Sequence, residues 1–398
     1  MIRKAALRVF FVAFVLSFAP FVRFVSAHHG GGTFDLARSV TYNGVLTKVE
    51  LVNPHSWLYF DVTEPDGRVS HHRCEMRSVH VLRRSGWAKE QFPAGSAITV
   101  EAAPDKVDPN SCYLNTIRFK DGTHMDRYGQ YVKGTGGTLT EVRGPIVTPD
   151  AATREARRPS GEPNISGDWA AEQVVMANPR GTGGGLVPLG NLPQIDAAGG
   201  PPARGGGGGR RGAPPAGPRL YGGTELTDAG TEAAAKFQQQ DNPRFHCETT
   251  SIIFDWTFDG AVNRITQKKD TIDILYGQMG LKRTIYLNMK NHPKDVKLSR
   301  AGHSIGRWDG DVLVVNTARF LPGVLNGTVR NSDTLHVVER FSLDPKTAKL
   351  TRSYEADDAV YLKGVYKGSD VIGLADAPYA QDRCKEQGFI NYSQQVKK

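Results

Sequence analysis

The chain has 398 residues, 39% apolar and 23% charged, with a net charge of +9 and a mean hydropathy of −0.40. These values exclude a disordered chain and a multi-span membrane protein, and the length allows two or three domains. Four cysteines are too few for a disulfide-dense mini-scaffold, and no C-x-x-C pair supports a zinc ribbon or a thioredoxin-type site.

Residues 1–27 read as a secretory signal peptide. Arg3, Lys4 and Arg8 form a positive start, Val9 to Val22 is an apolar run, and Val25-Ser26-Ala27 offers small residues to a signal peptidase. The run is shorter than the roughly 20 residues a bilayer core requires. Pro20 and Arg23 interrupt it, so no stable membrane span is expected. Removing the four cations of this segment lowers the net charge from +9 to +5. Without an aromatic-basic platform, a surplus of that size is a solubility feature and not a nucleic-acid footprint. The expected destination is the periplasm or the exterior, where disulfides form. Cys74, Cys112, Cys247 and Cys384 permit three connectivities, and pairing within each half keeps each bridge inside one domain. The competing reading is four free buried thiols. A Cys247–Cys384 bridge would close a loop of over a hundred residues, worth up to about 4.7 kcal/mol in the chain-entropy picture.

Residues 28–125 are expected to form one small unit. Tyr42 to Leu51 alternates as a half-buried strand does, Ser56 to Thr63 is a second strand, and Glu64-Pro65-Asp66-Gly67 turns the chain into a third at Arg68 to Met76. Ser78 is placed to cap a short helix ending at Gly86. Ala97 to Ala103 and Tyr113 to Lys120 add two strands. Three strands, a helix and two strands is the order of an OB-like small barrel. Residues 126–160 read as a connector.

Residues 161–398 read as a second β unit, interrupted by a 181–219 insert in which 21 of 39 residues are Gly or Pro. That composition cannot offset its ordering entropy, so disorder is expected there. A helix is expected over Asp228 to Gln240. Strand-like runs follow at Ser251 to Phe258, Ala261 to Lys268, Thr271 to Tyr276, Lys282 to Leu287, Ser304 to Trp308, Val312 to Thr317, Thr334 to Leu343 and Leu350 to Tyr354, with Asp259-Gly260 and Asp309-Gly310 as tight turns. Eight short strands with little helix between them imply an antiparallel barrel. At its head, Gly167-Asp168-Trp169 resembles the opening strand of lipocalin-like barrels, in which the Trp closes the floor and the interior has room for one small ligand. The expected fold class is therefore mainly β, a small barrel followed by a larger one.

Three groups of residues carry candidate chemistry. Cleavage after Ala27 would expose the α-amine of His28 beside His29, a chelating pair suited to copper, with His55 of Asn53-Pro54-His55 as a third ligand. Gly302-His303-Ser304-Ile305-Gly306 satisfies the G-x-S-x-G pattern, with Asp309, Asp311 and Asp333 before His336. A serine elbow requires strand before and helix after, whereas hairpin grammar follows here. Trp169, His303, Arg307 and Trp308 are the expected ligand contacts. No Walker or dinucleotide loop is present.

At His28-His29, Asn53-Pro54-His55 and Ser85-Gly86-Trp87 the first unit resembles an uncharacterised family of exported bacterial proteins that open, once mature, with His-His. The run from Gly302 to Val315, with Val337-Val338-Glu339-Arg340, is similar to a second exported segment of unknown activity. The chain departs from the first pattern at Gly30-Gly31-Gly32, where a Ser-Phe-type sequence is usual, and from the second at Asn316, where an Asp commonly follows the Val-Val pair. Neither resemblance implies a known reaction. The leading expectation is an exported two-barrel protein that binds a small, largely apolar molecule, with copper at its mature N-terminus. The alternatives are a periplasmic lyase, hydrolase or copper-dependent oxidoreductase, and an envelope scaffold with a protein partner.

Overall fold

The computed structural model describes residues 34–85, 87–127, 131–132, 153–172, 174–176, 186–188 and 221–384. The expected signal peptide, His28, His29 and most of the 181–219 insert lie outside these residues.

The N-terminal unit begins with an antiparallel meander of β1 (Val40–Glu50), β2 (Trp57–Thr63) and β3 (Val69–Glu75). The short helix α1 (Val79–Arg84) follows, and then β4 (Ala97–Pro104) and β5 (Ser111–Phe119). β4 pairs with β1 and with β5, and β5 closes on β3 in parallel, so five strands make a small barrel. Cys74 and Cys112 face each other across the closing pair and form a disulfide. β6 (His124–Asp126) and β7 (Tyr131–Val132) extend the sheet past β5. Inward residues Leu46, Leu58, Phe60, Val100, Leu114 and Ile117 form the core with Leu82 and Trp87. Each such side chain stabilises the fold by roughly 1.5–3 kcal/mol. Ser78 precedes α1, but its side chain makes no capping hydrogen bond. The helix is held by burying Val79, Val81 and Leu82 against the barrel.

The second unit contains β8 (Gly167–Ala171), β9 (Val174–Met176), β10 (Leu186–Pro188), α2 (Asp228–Lys236), β11 (Asn263–Gln267), β12 (Thr271–Leu275), β13 (Lys282–Tyr286) and β14 (His303–Asp309). After these come β15 (Val312–Ala318), β16 (Gly323–Asn326), β17 (Val329–Asn331), β18 (His336–Asp344), β19 (Lys349–Asp357) and β20 (Tyr366–Leu374). Nine of them close a barrel in the order β11-β12-β13-β14-β15-β18-β19-β20-β8. β13 and β14 run parallel because the 16-residue span between them crosses back over the wall, and the other neighbours are antiparallel. Within the expected insert, Leu186–Pro188 pairs with Val174–Met176. A second disulfide joins Cys247 to Cys384. No helix among the described residues is long and apolar enough to cross a membrane.

One expected strand is absent. Ser251 to Phe258 instead forms 3-10 turns at Phe254–Trp256 and Phe258–Gly260. They plug the large barrel: Trp256 is fully buried, edge-on to Tyr276 and Phe341, and Arg352 lies over its ring. Alongside it an ion network fills the axis. Arg283 donates to Glu339, to Ser304 Oγ at 2.9 Å and to Thr317 Oγ1 at 2.8 Å. Arg352 donates to Glu339 at 3.2 Å and to Asp370 at 2.6 Å.

Candidate functional site

Strand alternation decides where each expected contact lies, since successive side chains point to opposite faces. On β14 Ser304 and Trp308 point inward and His303 and Arg307 outward. Ser304 is fully buried, bonded to Arg283 and to Thr317 Oγ1 at 3.0 Å. Trp308 packs half-buried on the barrel core, and Arg307 is exposed. Trp169 is fully buried on β8, its Nε1 donating to Ile165 O at 2.9 Å. The four expected ligand contacts therefore divide between two faces of the wall.

The Ser, Asp and His that accompany the G-x-S-x-G pattern are likewise dispersed: Asp311 binds Arg157 and His336 binds Asp357. The two glycines of G-x-S-x-G serve packing. Gly302 has φ +64°, and a Cβ on Gly306 would come within 2.6 Å of Ile285.

His303 does belong to a cluster. His292, on the span between β13 and β14, places Nδ1 2.8 Å from His303 Nδ1 and Nε2 2.9 Å from Asn316 Oδ1. Tyr286 stacks on the His303 ring, centroids 5.1 Å apart and planes at 14°. The hairpin register sets Ile305 opposite Asn316, and Asn316 opposite Val338, while Tyr286 neighbours Ile305. Tyr286, Ile305, Asn316 and Val338 thus form a half-buried row across four strands of the outer wall. The span is held down by Arg319, which donates to Val296 O at 2.8 Å.

The proton positions follow from the partners. An amide Oδ1 only accepts, so His292 Nε2 donates to Asn316. One proton lies between the two Nδ1 atoms, and in the tautomer where His303 Nδ1 donates it, His292 Nδ1 accepts. In that tautomer His303 Nε2 carries a lone pair, and it has no hydrogen-bond partner among the described residues. Burial lowers the His303 pKa, and His292 lowers it further, so the ring is neutral at physiological pH. A neutral imidazole with an open lone pair can accept a proton, donate electrons or hold a ligand hydroxyl. Sequence reasoning picked out His303 and missed His292 and Tyr286.

Asn53-Pro54-His55 lies at the seam between the barrels. Fully buried Asn53 lies 2.7 Å from both His80 Nε2 and Asp382 Oδ1, and Asp382 also accepts from Met279 N–H at 2.6 Å. Arg84 of α1 reaches Asp376 at 2.8 Å and Gly260 O at 3.0 Å. His55 Nδ1 pairs with Glu75 at 2.8 Å. Burial pushes the His55 pKa down, and the Glu75 carboxylate more than reverses this, raising it. Among the described residues no group of three or more His, Cys, Asp or Glu could hold a metal ion.

Beside the seam Asp255 is fully buried, and burial raises its pKa from 3.8 to about 7 despite the Thr250 N–H it accepts. The folded protein therefore keeps a proton that the unfolded chain releases, so stability falls as pH rises from about 4 to 7. At about 1.4 kcal/mol per unit the full loss above pH 7 is roughly 4 kcal/mol. Thermal unfolding of Asp255→Asn should lack this fall, whereas an unchanged pH dependence would remove Asp255 as its source.

Fold and cluster together define a two-domain β-barrel protein with an imidazole pair on the outer wall of its larger barrel. Residues 19–112 match a family of unknown function (DUF6152), so the small barrel as far as the start of β5 carries the likeness. No curated protein and no solved structure matches the chain.

Proposed function

We propose that the protein is exported to the periplasm or the cell exterior and binds a small, largely apolar molecule on the outer wall of its large barrel. The observation that carries this reading is His303 Nε2, without a hydrogen-bond partner among the described residues, beside the Tyr286, Ile305 and Val338 row. Apolar contact along the row supplies burial, and one imidazole acceptor fixes orientation through a ligand hydroxyl, the usual division of labour in small-molecule sites. Arg283, Glu339, Arg352 and Trp256 fill the axis of the barrel, which argues for the wall over the lumen. The two disulfides suit an oxidising compartment.

Histidine side-chain NMR of the mature protein, titrated with 4-alkylphenols and a hydroxysterol, tests the site. Saturable shifts should appear at His303, and His303→Ala should weaken binding about tenfold, the loss of one buried hydrogen bond to an imidazole. Shifts that never saturate, or unchanged affinity in the variant, would overturn the reading.

A further inference from the structure

We propose that Asn316, His292 and His303 form a proton relay that makes His303 Nε2 a nucleophile toward small apolar esters, so that the outer-wall site transfers acyl groups. This inference rests on the ligand site proposed above. A neutral imidazole attacks through a lone pair and must then shed the proton on its other nitrogen. His303 Nδ1 lies 2.8 Å from His292 Nδ1, which can take that proton, and Asn316 Oδ1, 2.9 Å from His292 Nε2, keeps His292 in the accepting tautomer. A nucleophile, an adjacent base and a third group orienting that base is the arrangement nucleophilic catalysis requires. Stacking on Tyr286 fixes the ring plane of His303, and the half-buried row beside it offers an apolar seat for the ester.

The step balances without a cofactor. His303 Nε2 bonds to the carbonyl carbon, the ester C–O bond breaks, and the alkoxide or phenoxide leaves with the electron pair. His303 Nδ1 passes its proton to His292 Nδ1, giving a neutral acyl-imidazole and a His292 imidazolium. Water then attacks the acyl carbon, the C–N bond breaks, and His292 returns its proton to His303 Nδ1. The carboxylic acid leaves, and the remaining proton from water goes to solvent. Asn316 carries no charge, so the imidazolium on His292 is stabilised only by a dipole. A carboxylate there would stabilise it more.

The test uses p-nitrophenyl butyrate with the full mature chain, following nitrophenolate release. The wild-type rate should rise with pH and level off once His303 is neutral. His303→Ala should lower it by roughly 10²-fold and His292→Ala by at least about tenfold, while His336→Ala on β18 leaves it unchanged. Asn316→Asp should restore or exceed the wild-type rate and move the inflection to higher pH, a shift that a merely structural role would not produce. Mass spectrometry of quenched wild-type protein should find the butyryl group on His303, a readout that needs no variant to fold. Equal rates in wild type and His303→Ala, or the acyl group on another residue, overturn the relay. If alkylphenols still shift His303 while the ester is not cleaved, the relay fails and the binding site stands; if neither occurs, both fail.

Discussion

Glu339→Gln is expected to destabilise the large barrel by about 3–5 kcal/mol, the cost of removing one partner from a buried ion pair. Glu339 is fully buried and, among the described residues, is the only carboxylate bonded to Arg283, itself 2% exposed. The amide would leave that guanidinium charged and without a counter-ion, since Ser304, Thr317 and Tyr276 offer only neutral oxygens. Arg352 would retain Asp370. Apolar replacement of Arg283, Glu339 and Arg352 together would not be neutral either. Arg352 also donates to Ile252 O at 2.9 Å and Ile253 O at 3.1 Å, carbonyls of the plug that would lose their donors. Urea unfolding followed by tryptophan fluorescence measures the effect, because Trp256 lies against Arg352. A Glu339→Gln midpoint equivalent to less than 1 kcal/mol below wild type would show that the network contributes little.

The small barrel was legible because its sequence obeys local rules. Alternation in Tyr42 to Leu51, a Pro-Asp-Gly turn and two further apolar runs give the five strands in their observed order, with ends shifted by one or two residues. The large barrel was legible as an architecture but not strand by strand. Ser251 to Phe258 contains Ile252, Ile253, Phe254 and Trp256, and an apolar run of that length has no period that separates a buried strand from a plug of 3-10 turns. β20 escaped notice because its inward positions include Gly368 and Asp370. Gly368 is small because a Cβ there would run into Tyr354 Oη, and Asp370 is polar because Arg352 requires it. Both needs arise from tertiary neighbours.

The candidate site was half legible for the same reason. A hairpin turning at Gly310, with φ +58°, fixes Ile305 opposite Asn316, so His303 and Asn316 could be placed on one face from register alone. His292 could not, because it lies on an irregular span whose path over the wall depends on the parallel β13–β14 pair and on Arg319. Asn53-Pro54-His55 was legible as a motif but not in its contacts: Asn53 bonds across the seam and His55 is engaged by Glu75, which no local pattern encodes.

Loss of the Cys247–Cys384 bridge is expected to cost about 5 kcal/mol in the chain-entropy picture, because it closes a span of 137 residues. The structural consequence reaches further than the loop. Residues Asp376 to Cys384 lie between the two barrels: Asp376 binds Arg84, Asp382 binds Asn53 and Met279 N–H, and Cys384 bridges Asn53 in β fashion. The disulfide anchors that segment at its far end, so Cys247→Ser with Cys384→Ser should loosen the seam as well as the large barrel. The fall in Tm should be roughly 10 °C or more, at 2–4 °C per kcal/mol for a domain of this size. The two bridges should also separate by access. Cys74 and Cys112 are fully buried in the small barrel, while Cys247 and Cys384 are partly exposed. Mild dithiothreitol on the folded protein should therefore free Cys247 and Cys384 first, and thiol labelling with peptide mass mapping reads the order. Labelling of Cys74 first, or a double-serine variant that melts within 2 °C of wild type, would mean that the segment is held by its hydrogen bonds and ion pairs and that the covalent anchor adds little.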